Sequence, residues 1–141
     1  MVRFPRLLSI ALLAASLLVA APPAVSQDPG RSIVSIYRIA PGKQLDFLKW
    51  MAAREAIDRA AGVPATKWYV HLDGDSWDYV GIAPYNDDAT GDRLDAMARK
   101  QGLTAGPRAG LELLELMASH TDTISAGPFS AAELVDRASK P

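Results

Sequence analysis

The strongest constraint on the fold lies in the middle of the chain. Two strand-like runs, residues 67–72 (KWYVHL) and 77–82 (WDYVGI), flank Asp73-Gly74-Asp75-Ser76. Alternating, β-branched and aromatic runs around an Asp-Gly pair are the best short-range signal for a β-hairpin, because the tight turn needs residues that accept positive φ. A two-residue turn would pair Leu72 with Asp75, and a four-residue loop would pair Leu72 with Trp77. The two registers differ by two positions and so put the same side chains on the same face. One face carries Trp68, Val70, Leu72, Trp77 and Tyr79, and is expected to be buried. The other carries Lys67, Tyr69, His71, Asp78, Val80 and Ile82.

The flanking sequence alternates strand and helix. Residues 32–40 (SIVSIYRIA) read as a strand that stops at Pro41-Gly42. Residues 43–61 change to helical spacing, with Leu45, Leu48 and Ala52 beside Phe47, Trp50, Met51 and Ile57, and end at Gly62 and Pro64. A second helix is expected over 92–101 around Leu94, Met97 and Ala98. A third starts at Pro107 and runs through Leu111 to Ala118. Residues 121–125 (TDTIS) suggest a short last strand, and Ser130 can cap a final helix over 131–137. Residues 27–31 (QDPGR) form a polar leader, and 32–141 constitute a single domain. The order is βαββαβ with the second helix broken in two. The expected class is therefore α+β: an antiparallel sheet with helices on one face, where Leu45, Leu48, Leu94 and Leu114 meet the hairpin. The uncovered face must be wet or covered by a partner.

The beginning of the chain reads as an export signal over residues 1–26. Arg3 and Arg6 precede an uncharged Leu/Ala-rich run over 7–21, and Ala24-Val25-Ser26 offers small residues before a cut ahead of Gln27. The run is shorter than the roughly 20 apolar residues that span a bilayer, so no stable membrane insertion is expected once it is cleaved. The expected location is periplasmic or secreted. Of the 141 residues, 15 are Lys or Arg and 16 are Asp or Glu, for a formal net charge of -1. That gives no basic field for a nucleic-acid partner. The absence of Cys removes disulfides, thiolate metal sites and Cys nucleophiles together.

The candidate site lies on the second face of the hairpin. In the four-residue register His71 and Asp78 stand opposite each other, and a carboxylate there would orient and charge the imidazole. His71, Asp78 and Tyr69 are thus candidate catalytic groups. Tyr69, His71, Asp78, Lys67 and Tyr37 are candidate ligand-binding groups. Arg38 alternates away from Tyr37, so one of the two at most faces a cavity. His120 is expected to sit near the end of the third helix, where the dipole favours a cation, with a role beside Asp122 as the alternative. Phe47, Trp50 and Met51 read as core. Asp73 to Asp78 lacks the spacing of a calcium loop, and the glycines over 102–110 match no nucleotide fingerprint. With two His and no Cys, one chain cannot build a three-His zinc site, and no metal is expected.

The opening Tyr37-Arg38-Ile39-Ala40-Pro41-Gly42-Lys43, a strand ending in Pro-Gly before an amphipathic helix, and the hairpin that follows resemble the dimeric α+β barrel superfamily of the ferredoxin-like fold. The resemblance covers most of residues 32–126. Its known members include antibiotic-biosynthesis monooxygenases, haem-degrading monooxygenases, EthD-like and NIPSNAP-like proteins. It implies a homodimer whose two sheets meet as a barrel around a cavity. It carries over no catalytic residue, because fold and function are loosely tied. Three readings remain open: a binding protein for a small, partly apolar ligand or a partner; a monooxygenase-type or haem-handling enzyme using His71 with Asp78 and Tyr69; and a purely structural assembly module. Haem is the one cofactor to which His71 points; otherwise none is expected.

Overall fold

A computed structural model describes residues 30–140; the expected export signal over 1–26 and most of the expected leader over 27–31 lie outside them. The β-branched opening run forms β1 (Arg31–Ile39), one residue earlier than expected. Gly42, at φ +78° in the Pro41-Gly42 turn, reverses the chain into α1 (Gln44–Ala60). The hairpin follows as β2 (Lys67–Val70) and β3 (Tyr79–Pro84). Then come α2 (Asp88–Lys100), α3 (Pro107–Leu114), β4 (Met117–Ala126) and α4 (Ala131–Ala138).

The four strands form one antiparallel sheet in the order β2-β3-β1-β4, the βαββαβ arrangement of the ferredoxin-like fold. β1 lies between β3 and β4 and sets both registers: Tyr37 stands opposite Tyr79 on one side and His120 on the other. The hairpin takes the four-residue register, with Val70 opposite Tyr79 and Lys67 opposite Ile82. Beyond that ladder the His71 N–H donates to the Asp78 carbonyl at 3.0 Å.

Helices cover the face that carries Tyr37, Ile39, Trp68, Tyr79 and Met117. Phe47 is the centre of the core at 0% exposure. Its ring lies 5.1 Å from Tyr37, stacks on Tyr79 at 5.6 Å, and meets Trp68 edge-on at 6.2 Å. Met51, Leu113 and Leu116 close the cluster from the helix side. Gly81 makes room for the indole, since a Cβ there would come within 3.1 Å of the Trp68 ring. The Trp68 Nε1–H donates to Glu55 of α1 at 2.5 Å, so the buried indole keeps its hydrogen bond. A polar clasp ties α1 to α3. Arg54 lies over the Trp50 ring at 4.6 Å and donates to Thr104, while the Glu112 carboxylate accepts from Thr104 and from the Trp50 Nε1–H.

Several expectations about faces and boundaries are corrected. On α1 Phe47 is buried, as expected of a core residue, whereas Leu45 and Leu48, expected to meet the hairpin, are exposed. Leu114 also faces outward. Val70 is 60% and Leu72 90% exposed, because β2 is an edge strand that ends at Val70 and residues 72–77 form the connecting loop beyond the His71–Asp78 pair. The third helix ends at Leu114, not Ala118. Helical spacing continues past it, but Ala40 donates to the Leu116 carbonyl at 3.0 Å and Met117 pairs opposite Ile39, so ladder pairing with β1 prevails. β4 accordingly spans ten residues where five were expected. α2 begins four residues early, because Asp87 caps it by accepting from the Thr90 N–H at 2.8 Å.

Candidate functional site

Strand alternation leaves the second sheet face uncovered by helices. On β1 it presents Ser32, Val34, Ile36 and Arg38, and on β3 it presents Val80, Ile82 and Pro84. β2 contributes Lys67 and Tyr69, and β4 a hydroxyl row of Ser119, Thr121, Thr123 and Ser125. An aliphatic stripe therefore runs down the two central strands between polar edges. Ile36 is 42% and Tyr69 53% exposed, values that belong to an unfinished surface rather than to a core.

At one end the face hollows into a concavity of about 450 Å³. Val34, Ile82 and Pro84 form its floor, Lys67 and Tyr69 one flank, and Ser32 and Ser125 the other. Pro64 and Ala65, leading into β2, and Gly127 and Pro128, leaving β4, build its walls. The volume lies in the range of small-molecule sites, and the chemistry is an aliphatic floor with one cation, one phenol and two hydroxyls at its margin. Lys67 and Tyr69 thus stand where the hairpin alternation placed them.

His71 and Asp78 lie just beyond the β2–β3 ladder, at the end of the hairpin away from Lys67 and the concavity. Their backbones pair as expected, yet no hydrogen bond joins their side chains. The Asp78 carboxylate instead accepts the Ile39 N–H at 2.7 Å, where the β1–β4 register shifts, and its own N–H donates to the Tyr37 carbonyl at 2.8 Å. Asp78 thus fastens the end of β1. The His71 ring packs on Trp77 with centroids 5.1 Å apart, and its Nε2 is buried without a hydrogen-bond partner. A nitrogen with no accessible surface cannot meet a ligand unless the ring turns. In the connecting loop, Gly74 takes φ +108° and Asp75 accepts its neighbour Ser76 N–H at 2.6 Å, which is turn chemistry.

Tyr37 is a correction. It lies under the helices at 9% exposure, on the face opposite the concavity, and Arg38 takes the open side. Burial pushes the Tyr37 hydroxyl pKa up; a hydrogen bond with Ser35 opposes this and the Asp122 charge adds to it. His120 is corrected as well. It belongs to β4 instead of capping α3, with its ring stacked at 6.3 Å on Tyr37 and its Nε2 3.6 Å from Asp122. The polar pair His120–Asp122 therefore exists, on the helix side of the sheet. Hairpin alternation could not reveal the β4 hydroxyl row or the Gly127-Pro128 wall; a longer last strand, read as Ser-x-Thr-x-Thr-x-Ser over 119–125, would have. Among the described residues no three His, Cys, Asp or Glu side chains gather as a metal site, and no helix is long and apolar enough to cross a membrane.

No family model and no curated protein matches this chain. Solved structures do resemble it. A protein from Pseudomonas aeruginosa aligns with a TM-score of 0.47 at 17% identity, over 72% of this chain and 96% of its own. An uncharacterized NIPSNAP domain protein from Burkholderia xenovorans gives 0.43 at 16%, over 72% and 96%. A dimeric protein of unknown function and ferredoxin-like fold from Bacteroides fragilis gives 0.42 at 12%, over 69% and 95%. At such identities these likenesses carry neither an activity nor a ligand to this chain, and the fold stands on its own strand order.

Proposed function

We propose that this protein is an exported binding protein that pairs with a second copy through its open sheet face and holds a small, partly apolar molecule in the concavity beside Lys67 and Tyr69. The observation that carries the reading is the uncovered face itself, an aliphatic stripe ending in a hollow of about 450 Å³. Val34 and Ile82 would take the apolar body of the ligand, and burial of that surface supplies the affinity. Lys67 and the Tyr69 hydroxyl would orient its polar end, and an anionic or carbonyl group suits that pair. Export is supported by the Arg-led, Leu/Ala-rich sequence of residues 1–26.

An acid–base enzyme at His71 is the weaker reading, because the carboxylate that would orient the imidazole is bound to the Ile39 N–H. Two experiments test the proposal together. Light scattering should give twice the chain mass. A thermal-shift screen of aromatic and aliphatic carboxylates should find compounds that raise the melting temperature of the wild type but not of Tyr69→Ala. A strict monomer with no stabilising compound in the screen would refute it. Haemin added to the protein should leave the Soret band where free haemin has it; a shift abolished by His71→Ala would restore the haem reading.

A further inference from the structure

The final helix is ordered without being covered. Each of the eight residues of α4 is exposed, although Ala131, Leu134, Val135 and Ala138 fall at i, i+3, i+4 and i+7 and make one apolar stripe. Leu134 is 51% and Val135 65% exposed. A helix of eight residues does not hold by itself in water, because nucleation costs more than so few turns return. Yet its local devices are complete. Ser130 and Glu133 form a reciprocal capping box, and the Arg137 guanidinium lies 4.1 Å from the Phe129 ring centroid. Such a segment is prepared to dock, and none of the described residues of its own chain covers it.

We propose that α4 is an arm that docks on the second copy of this chain. The inference rests on the two-copy reading above and names what completes that interface. The place from which the arm departs gives the first argument. Gly127 and Pro128 form a wall of the open-face concavity, and only Phe129 and Ser130 separate them from α4. The linker of four residues extends at most about 14 Å, so the helix is tethered to the rim of the proposed interface. Area gives the second. Four strands at about 4.8 Å spacing and about six residues of common length make a face of about 19 by 20 Å, or about 400 Å² in plan. A stable interface needs about 800 Å² per partner. Side-chain relief raises the accessible area above the plan area, yet a face of this size stays at the low end of what a stable interface needs, and half of its width is polar. Two exchanged arms add apolar area on both sides of the two-fold axis, and their preformed caps lower the ordering cost of docking.

The test compares wild type with Leu134→Glu/Val135→Glu by sedimentation equilibrium. Both positions are exposed in the single chain, so circular dichroism of the variant should match wild type apart from the last helix. Self-association should weaken by more than about tenfold, the scale set by burying two aliphatic side chains. A dimer of unchanged affinity would overturn the arm while leaving the open-face pairing intact; a wild type that stays monomeric would overturn both. Contact is tested independently through Val135→Cys, which is the sole thiol in a chain without Cys, labelled with a photoreactive maleimide. Irradiation should yield a two-chain product whose adducts map to the sister copy. Adducts confined to the labelled chain would overturn the proposal.

Discussion

Phe47→Ala tests the rotation of α1, on which the division of the sheet into a covered and an open face depends. Phe47 has no exposed surface and touches three aromatic rings at 5.1 to 6.2 Å. Truncating a fully buried Phe costs about 3–5 kcal/mol, from lost transfer energy and the cavity left among neighbours that relax only partly. Three aromatic partners put this site in the upper half of that range. For a domain of this size the loss amounts to a drop of about 12–20 °C in melting temperature. Leu45 provides the internal control: it lies two residues away on the same helix, is equally apolar, and is 61% exposed. Leu45→Ala should change stability by less than about 0.5 kcal/mol. Urea unfolding followed by circular dichroism, at fixed protein concentration because pairing shifts the midpoint, gives both numbers. If Leu45→Ala costs as much as Phe47→Ala, α1 is turned the other way and the core described here is wrong.

Other perturbations probe single contacts. Gly81→Ala should destabilise by about 1–3 kcal/mol in a melting experiment, because its Cβ would press to within 3.1 Å of the Trp68 ring in a filled core. Asp78→Ala should cost about 1–3 kcal/mol of unfolding free energy by leaving the Ile39 N–H unpaired, and should leave ligand affinity at the concavity unchanged. Tyr37 sets an alkaline limit. Burial raises its pKa in the folded state above the ordinary value of 10.0, so the unfolded chain releases this proton first. Its contribution to stability is complete below that value and is lost as pH rises toward the folded pKa. Ultraviolet titration should show one of the four tyrosines ionising only as the protein unfolds, and Tyr37→Phe should flatten the alkaline limb.

What could be read from the sequence was what neighbours along the chain decide. The hairpin and its two faces followed from alternation around Asp-Gly, and with them the face of Lys67 and Tyr69, while the choice between the two registers came only with the structure. The βαββαβ element order followed from the alternation of element types, and the antiparallel sheet with helices on one face from that order; the strand order β2-β3-β1-β4 came with the structure. What remained illegible depended on contacts between elements. On α1 Phe47 and Met51 were read as core, but Leu45 and Leu48 were expected to be buried as well, and only the aromatic residues waiting on the sheet show that the leucine stripe is left outside. The expected last strand was short because helical spacing runs on to Ala118 and His120 reads as a helix-end cation, whereas pairing with β1 draws Met117 to His120 into β4. The His71–Asp78 pair was correct in backbone and wrong in side chain, since the register shift at Arg38/Ile39 that claims the carboxylate arises between β1 and β4.

The central claim is that the face bearing Val34, Ile36 and Ile82 is a meeting surface. Ile36 stands in the middle of the stripe, already exposed, so replacing it perturbs association without opening a cavity in the core. Sedimentation velocity of wild type beside Ile36→Asp asks the question most directly. A wild type sedimenting with twice the chain mass and a folded, monomeric Ile36→Asp is the predicted result. Identical sedimentation of the two, in either state, would contradict the account.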